Sequence, residues 1–187
     1  ESSQKITVNF EKPEDPRGDI IQYTVSLVDR VGGAPMTEQI ICDSSANNDP
    51  CAPVINVTQA KISTTFDGLS AYTMYDITIT PSTSAGEGVV SMRECKTSQS
   101  KPNQPDAPTV QSGLDSVGST FINIEWEAPA IAAANGVIVA YTVYIDPSAA
   151  GIGGEGEVAA SIGTTRQITG LLPSTQYTIT LTASTST

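Results

Sequence analysis

The cysteines are the residues of this chain with the clearest capacity for covalent chemistry. Cys42 and Cys51 bracket a polar stretch, residues 43–50, that is rich in the turn formers Asp, Asn, Ser and Pro. A cross-link over such a loop stabilises a small secreted domain, mainly by restricting the unfolded chain. The spacing therefore favours a Cys42–Cys51 disulfide. Cys95 is left over, either as a buried apolar side chain or as a thiol that pairs outside this segment.

Catalytic chemistry has little support, because the chain contains no histidine. Histidine is the commonest general base, the usual zinc ligand and the middle member of Ser-His-Asp triads. Asp43, Asn47, Asn48 and Asp49 could offer oxygen ligands to calcium, but their spacing matches no calcium loop, and an Asx-rich turn explains them better. We expect no enzyme activity, no cofactor and no metal site.

Charge and hydropathy exclude two further classes of partner. The net charge is -11, from 9 Lys plus Arg against 20 Asp plus Glu, so attraction to a phosphate backbone is not expected. No apolar run approaches the roughly 20 residues needed to cross a bilayer. We expect neither nucleic-acid binding nor membrane insertion by this segment.

Two short motifs could mark functional positions on the surface. Arg17-Gly18-Asp19 is the tripeptide that integrins read in several adhesion proteins, although a tripeptide recurs often by chance. The sequence favours a turn at this position over an integrin site. Asn56, followed by Val57 and Thr58, is the one N-glycosylation acceptor and fits an extracellular surface.

Three segments of the first half recur in the second half, and they indicate the elements that must position these residues. The matched segments are 6–13 with 122–129, 18–27 with 136–145 and 68–80 with 170–182. Apolar and polar residues alternate in each, as in strands with one buried face. Internal repetition of this kind predicts an all-β chain built from one module used twice. Gly18 matches Gly136 before the same strand, which is why a turn is favoured there.

The offsets between the copies locate the main difference between them. The offset falls from 118 at the second match to 102 at the third, so the first copy carries 16 extra residues, and these include Cys42 and Cys51. Residues 98–105 are polar and contain prolines, as expected of a short and fairly stiff linker. We place the two domains at residues 1–100 and 101–187.

The repeated residues resemble the fibronectin type III pattern. They are an aromatic residue in the second strand, a Tyr in the third, and the series Leu171, Pro173, Thr175 and Tyr177. The resemblance implies two tandem immunoglobulin-like β-sandwiches. It also implies that the first copy runs from strand B to strand G, without strand A, and the second from strand A to strand F, without strand G.

The resemblance also assigns structural roles to six aromatic residues. One aromatic is expected at the centre of each sandwich and one on the facing sheet, while a third Tyr bonds to the backbone at the corner between sheets. In order of these roles, the residues are Phe10, Tyr23 and Tyr75 in the first copy and Trp126, Tyr141 and Tyr177 in the second.

The function implied by the resemblance is an extracellular protein-interaction or adhesion module of a larger cell-surface or matrix protein, without catalysis. Its partners would be proteins and neighbouring domains of the same chain or filament. Two alternatives stay open, since one fold hosts many functions. The copies could be structural repeats of an extracellular filament or stalk, or accessory domains of a larger enzyme or receptor phosphatase.

Overall fold

The computed structural model describes residues 3–42, 61–113, 115–146, 155–159 and 163–186. The chain divides into two compact units, Glu1–Ser98 and Gln99–Thr187. Strands dominate both units, as the alternation of apolar and polar residues predicts, and the described part contains one helical turn, Ile131–Ala134 (α1).

The first unit contains seven described strands in two antiparallel sheets. They are β1 (Lys5–Glu11), β2 (Ile20–Asp29), β3 (Met36–Ile41), β4 (Lys61–Asp67), β5 (Met74–Thr83), β6 (Gly86–Glu87) and β7 (Ser91–Lys96). One sheet pairs β1 with β4. The other has the order β3-β2-β5-β6, with β7 also paired to β5. The segment from β5 to β7 is therefore a hairpin that folds back along β5.

The second unit repeats this arrangement with six described strands. They are β8 (Thr109–Val110), β9 (Phe121–Glu125), β10 (Ile138–Asp146), β11 (Glu155–Ala159), β12 (Thr165–Thr169) and β13 (Thr178–Thr185). The sheet orders are β12-β9-β8 and β11-β10-β13. Strands β9 to β13 occupy the places of β1 to β5, so the predicted repeat and the tandem β-sandwich fold are confirmed.

The edges of the sheets bear on the strands predicted to be missing. Within the described residues, β1 pairs only with β4, and β13 pairs only with β10. Beyond these edges lie the positions assigned to strand A of the first copy and strand G of the second. The absence of those two strands stays a prediction.

The core of the first unit follows directly from the alternating sequence. Tyr23, Val25 and Leu27 alternate along β2 and are all at most 2% exposed. Ile6 of β1 and Phe66 of β4 belong to the same buried set. Removing an aliphatic or aromatic side chain of this size from water contributes about 2 kcal/mol. Burial of this one face therefore fixes the register of each strand.

An aromatic pair joins the two sheets at the same place in each unit. The ring centroids of Phe10 and Tyr23 are 5.0 Å apart, and those of Trp126 and Tyr141 are 5.4 Å apart, both in edge-to-face geometry. Trp126 is buried, whereas Phe10 is only partly buried and packs at the border of the core. Burial also raises the pKa of Tyr23 and of Tyr141.

The corner tyrosines make matching hydrogen bonds. The hydroxyl of Tyr75 accepts a bond from the backbone N–H of Ser70 at 2.9 Å, and that of Tyr177 accepts one from Leu172 at 2.8 Å. Each bond spans five residues and ties the turn before β5 or β13 to the strand that follows. The two predicted corners thus have the same local geometry.

The repeat also extends to unusual backbone conformations in this turn. Gly68 and Gly170 have φ of 72° and 74°, and Tyr72 and Ser174 have φ of 52° and 55°. Both pairs are separated by the offset of 102 that relates the copies. A left-handed conformation is uncommon outside glycine. Its recurrence at non-glycine positions shows that the corner imposes it, whatever the side chain.

The segment predicted to be a linker is tied into the second unit. The N–H of Val137 donates to Oε1 of Gln99 at 2.7 Å, and the N–H of Ser100 donates to the carbonyl of Asn135 at 2.9 Å. The second compact unit begins at Gln99, and the domain boundary between residues 100 and 101 stays a prediction. A polar composition alone could not show these bonds, because their partners lie about 35 residues away.

The corner bond yields a direct test. Tyr177→Phe should lower the free energy of unfolding of the second unit by about 1 kcal/mol, because the N–H of Leu172 loses its hydrogen-bond partner. Urea unfolding followed by the fluorescence of Trp126, the only Trp in the chain, measures this loss. Tyr144→Phe is the matched control and should change the midpoint little. Equal effects of the two substitutions would contradict the assigned role of Tyr177.

Candidate functional site

The Arg17-Gly18-Asp19 motif lies in the loop that joins β1 to β2. All three residues are exposed, and the side chain of Arg17 is 89% exposed. Its Nε lies 4.0 Å from Oδ2 of Asp15, a loose surface ion pair that contributes little to stability. Both charged side chains of the motif are therefore accessible to a partner.

The backbone of this loop has a structural explanation. Arg17 has φ of 52°, and Asn135, its counterpart at the offset of 118, has φ of 52° as well. Each residue precedes the glycine that leads into β2 or β10. Asn tolerates this left-handed conformation better than Arg does. The fold demands the turn in both units, and recognition of the motif by an integrin stays a prediction.

A groove opens between this loop and the β5–β7 hairpin of the first unit. It has a volume of about 640 Å³, within the range of small-ligand pockets. Pro13 and Pro16 line it on the loop side, and Pro81, Gly88 and Val89 line it on the hairpin side. The N–H of Gly88 donates to the carbonyl of Pro81 at 2.8 Å. This bond holds the hairpin wall against β5.

The two segments that border the groove carry more acidic than basic side chains. In residues 11–19 and 84–90, the exposed acids are Glu11, Glu14, Asp15, Asp19 and Glu87, and the cations are Lys12 and Arg17. Of these charged residues, Asp15, Arg17 and Glu87 line the groove. Five acids against two cations leave a net charge of -3. These acidic side chains face solvent, and Asp15 makes the one loose ion pair in this set, with Arg17.

The charges near the start of β5, by contrast, pair with one another. Nη2 of Arg30 lies 2.7 Å from Oδ1 of Asp76 and also bonds to Glu94. The hydrogen bond to Asp76, followed by that to Glu94, raises the pKa of Arg30, which therefore stays cationic. Nearby, Nζ of Lys96 lies 3.1 Å from the ring centroid of Tyr72. These contacts link β5 and β7 to the residue that follows β2.

The cysteines fall partly outside the described residues. Cys42 is disulfide-bonded, whereas Cys95 is a free, half-buried cysteine opposite Tyr75 in the pairing of β7 with β5. Cys51 and Asn56 lie outside the described residues. The pairing of Cys42 with Cys51 and glycosylation of Asn56 stay predictions.

The described residues contain neither a metal-binding cluster nor a membrane span. Among them, no three His, Cys, Asp or Glu side chains come together in a group that could hold a metal ion. No described helix has the length and apolar character required to cross a bilayer.

The groove itself was not predicted from the sequence. The signal for it lies in Pro81 within β5 and in Gly86 and Gly88 just beyond. A proline in a strand and a pair of glycines indicate a bulged or bent hairpin. Their distance from Pro13 and Pro16 along the chain, about 65 residues, conceals that they form one surface.

Comparison with known families and proteins gives two consistent results. The model of the fibronectin type III domain matches residues 1–94 and 106–187. The chain is 37% identical over 86 residues, 46% of its length, to the cell adhesion molecule Dscam1 of Drosophila melanogaster. It is 37% identical over 92 residues, 44% of its length, to receptor-type tyrosine-protein phosphatase F of Danio rerio. The matches cover only 4% and 5% of those two proteins.

The predicted disulfide can be counted by mass. Under denaturing, nonreducing conditions we expect one alkylated thiol, that of Cys95, and three after reduction. Peptide mapping should then place the cross-link between Cys42 and Cys51. Three alkylated thiols without reduction, or a bridge that includes Cys95, would contradict the prediction.

The strained turn can be tested by substitution of Arg17. Arg17→Asn should raise the free energy of unfolding of the first unit by about 0.5–1 kcal/mol, since Asn adopts the left-handed conformation at lower cost. Lys12→Asn, which removes the same charge from the same loop without relieving a positive φ, is the matched control. Urea unfolding followed by far-UV circular dichroism measures both. A gain of equal size in the control would show that charge, not backbone strain, is responsible.

Proposed function

This chain belongs to the fibronectin type III family, and from that premise we propose that it is a non-catalytic protein-interaction module of a cell-surface or matrix protein. The observation that carries the proposal is the exposed end of the first unit. There, the loop with Arg17 and Asp19 and the β5–β7 hairpin border a groove whose lining includes three prolines, Val89 and two acidic side chains. Concave apolar surfaces with a few polar groups are typical binding sites.

Three further observations support this proposal. One relative is named as a cell adhesion molecule and the other as a receptor-type phosphatase. The disulfide at Cys42 suits an oxidising, extracellular environment. The absence of histidine removes the side chain on which most hydrolytic mechanisms depend. We propose an extracellular location on the same grounds.

A second candidate function is an accessory domain pair of a larger enzyme. It is favoured by the similarity to the phosphatase, although the matched part is 5% of that protein. The complete reading frame that contains this chain distinguishes the two candidates. A catalytic domain in it would favour the accessory role, and further copies of the repeat without one would favour adhesion.

The proposed function predicts binding to proteins on cell surfaces. The biotinylated chain, displayed on fluorescent streptavidin, should bind saturably to cells of the source organism. An excess of unlabelled chain should compete for this binding. Pretreatment of the cells with trypsin should remove the binding, because the partner is a protein. Binding that is non-saturable, or that survives trypsin, would contradict the proposal, as would failure to bind any cell type of that organism.

A further inference from the structure

The groove of the first unit has walls that are set before any partner arrives. Three of its lining residues are prolines, Pro13, Pro16 and Pro81, whose φ angles are fixed by the ring. The hydrogen bond from Gly88 to Pro81 closes the hairpin wall. A preorganised surface loses little conformational entropy on binding and therefore supports higher affinity for a given contact area.

The groove also exposes an apolar side chain that the core does not use. Val89 is 89% exposed on the hairpin side, and Ile20, another lining residue, is partly buried. Together with the three prolines they form the apolar part of the groove lining. Such an apolar lining suits aliphatic side chains of a partner better than it suits a strongly hydrated small molecule.

The charges at the rim of the groove favour a positively charged partner. Asp15 and Glu87 line the groove, Asp19 is exposed beside it, and Arg17 is the only cation among the lining residues. An acidic segment would meet repulsion from these three carboxylates. A cationic segment is attracted by them and competes with Arg17 for Asp15, whose ion pair with Arg17 is loose at 4.0 Å.

We propose that the groove between the β1–β2 loop and the β5–β7 hairpin binds a short cationic peptide segment of another protein. Aliphatic side chains of that segment lie on Pro16, Pro81 and Val89, and its Lys or Arg side chains face Asp15, Asp19 and Glu87. The inference deepens the proposed function and rests on it. In an integrin motif Arg17 would contact the partner, whereas in this groove Arg17 weakens binding of the cationic peptide.

The probe is a fluorescein-labelled octapeptide of alternating Val and Lys, compared with alternating Val and Glu, in fluorescence anisotropy with the full chain. The Lys peptide should bind, and the Glu peptide should bind at least tenfold more weakly. Affinity should fall steeply between about 50 and 500 mM salt, because the attraction is between exposed charges. Preference for the Glu peptide, or equal affinity, would overturn the proposal.

Variants locate the binding on the chain. The triple variant Asp15→Asn, Asp19→Asn and Glu87→Gln should weaken the Lys peptide about tenfold. The matched control neutralises three exposed acids of the second unit, Asp106, Asp115 and Glu127, and should stay within about twofold of the parent chain. Equal losses in the two variants would show attraction to the net charge of the chain and would overturn the groove assignment.

Two single substitutions test whether the peptide occupies the groove itself. Arg17→Gln should strengthen binding of the Lys peptide severalfold, since the competing cation is gone, and weaker binding would overturn the proposal. Ala85→Trp, which places a bulky ring at a lining position, should weaken binding, and unchanged affinity would place the peptide elsewhere on the chain. Circular dichroism confirms that each variant is folded.

Two outcomes distinguish failure of the groove assignment from failure of the proposed function. Retained, trypsin-sensitive cell binding by the triple variant would overturn the groove assignment and leave the proposed function standing. Concentration-dependent self-association of the chain that the triple variant abolishes would identify a second copy as the occupant and would also overturn the proposal.

Discussion

The edge-to-face contact between one aromatic ring from each sheet is the interaction on which both units depend. It joins Phe10 to Tyr23 and Trp126 to Tyr141, and in each unit it fixes where the first strand of the repeat ends and where the next one passes. The loop between those strands must therefore cover a set distance and reverse direction within it. Both loops meet that requirement with a left-handed residue at the same position, Arg17 in one unit and Asn135 in the other.

The two ends of β5 differ in how far the fold restricts the side chains at the surface. Near the start of β5, charged residues are tied to the strands, as Arg30 is to Asp76 and Glu94, and their substitution would disturb strand pairing. At the opposite end of β5, Pro81 and the hairpin beyond it carry side chains that no core contact requires, such as Val89 at 89% exposure. Exposed positions such as Val89 can change with little cost to the fold, whereas Gly86, with a φ of 131°, and Gly88, packed against Pro81, cannot. A recognition surface belongs where the fold makes few demands.

The sequence alone was sufficient for the fold because the relevant signals are local or repeated. Alternation along β2 and β10 indicates which face is buried, and the spacing of Tyr75 and Tyr177 from the glycine before each corner identifies the turn. The groove depends instead on a contact between segments about 65 residues apart, and neither segment has a composition that points to the other. The binding of Gln99 and Ser100 into the second unit was hidden for the same reason. A single sequence does not reveal a surface formed by distant segments unless a repeat indicates that they meet.

The first copy differs from the second at the positions that a partner would meet. The second unit satisfies its left-handed turn with Asn135, whose side chain donates to the carbonyl of Lys101 at 3.0 Å and so serves the fold. The first unit places Arg17 at the same position, where the side chain projects into solvent and makes one loose ion pair. Arg17 adopts this left-handed conformation at a higher cost than Asn does, and its ion pair with Asp15 is exposed. Strain of this kind is typical of functional positions. In the proposed complex, the cationic segment must displace Arg17 from Asp15, so Arg17 would favour strongly cationic segments over weakly cationic ones and contribute to specificity.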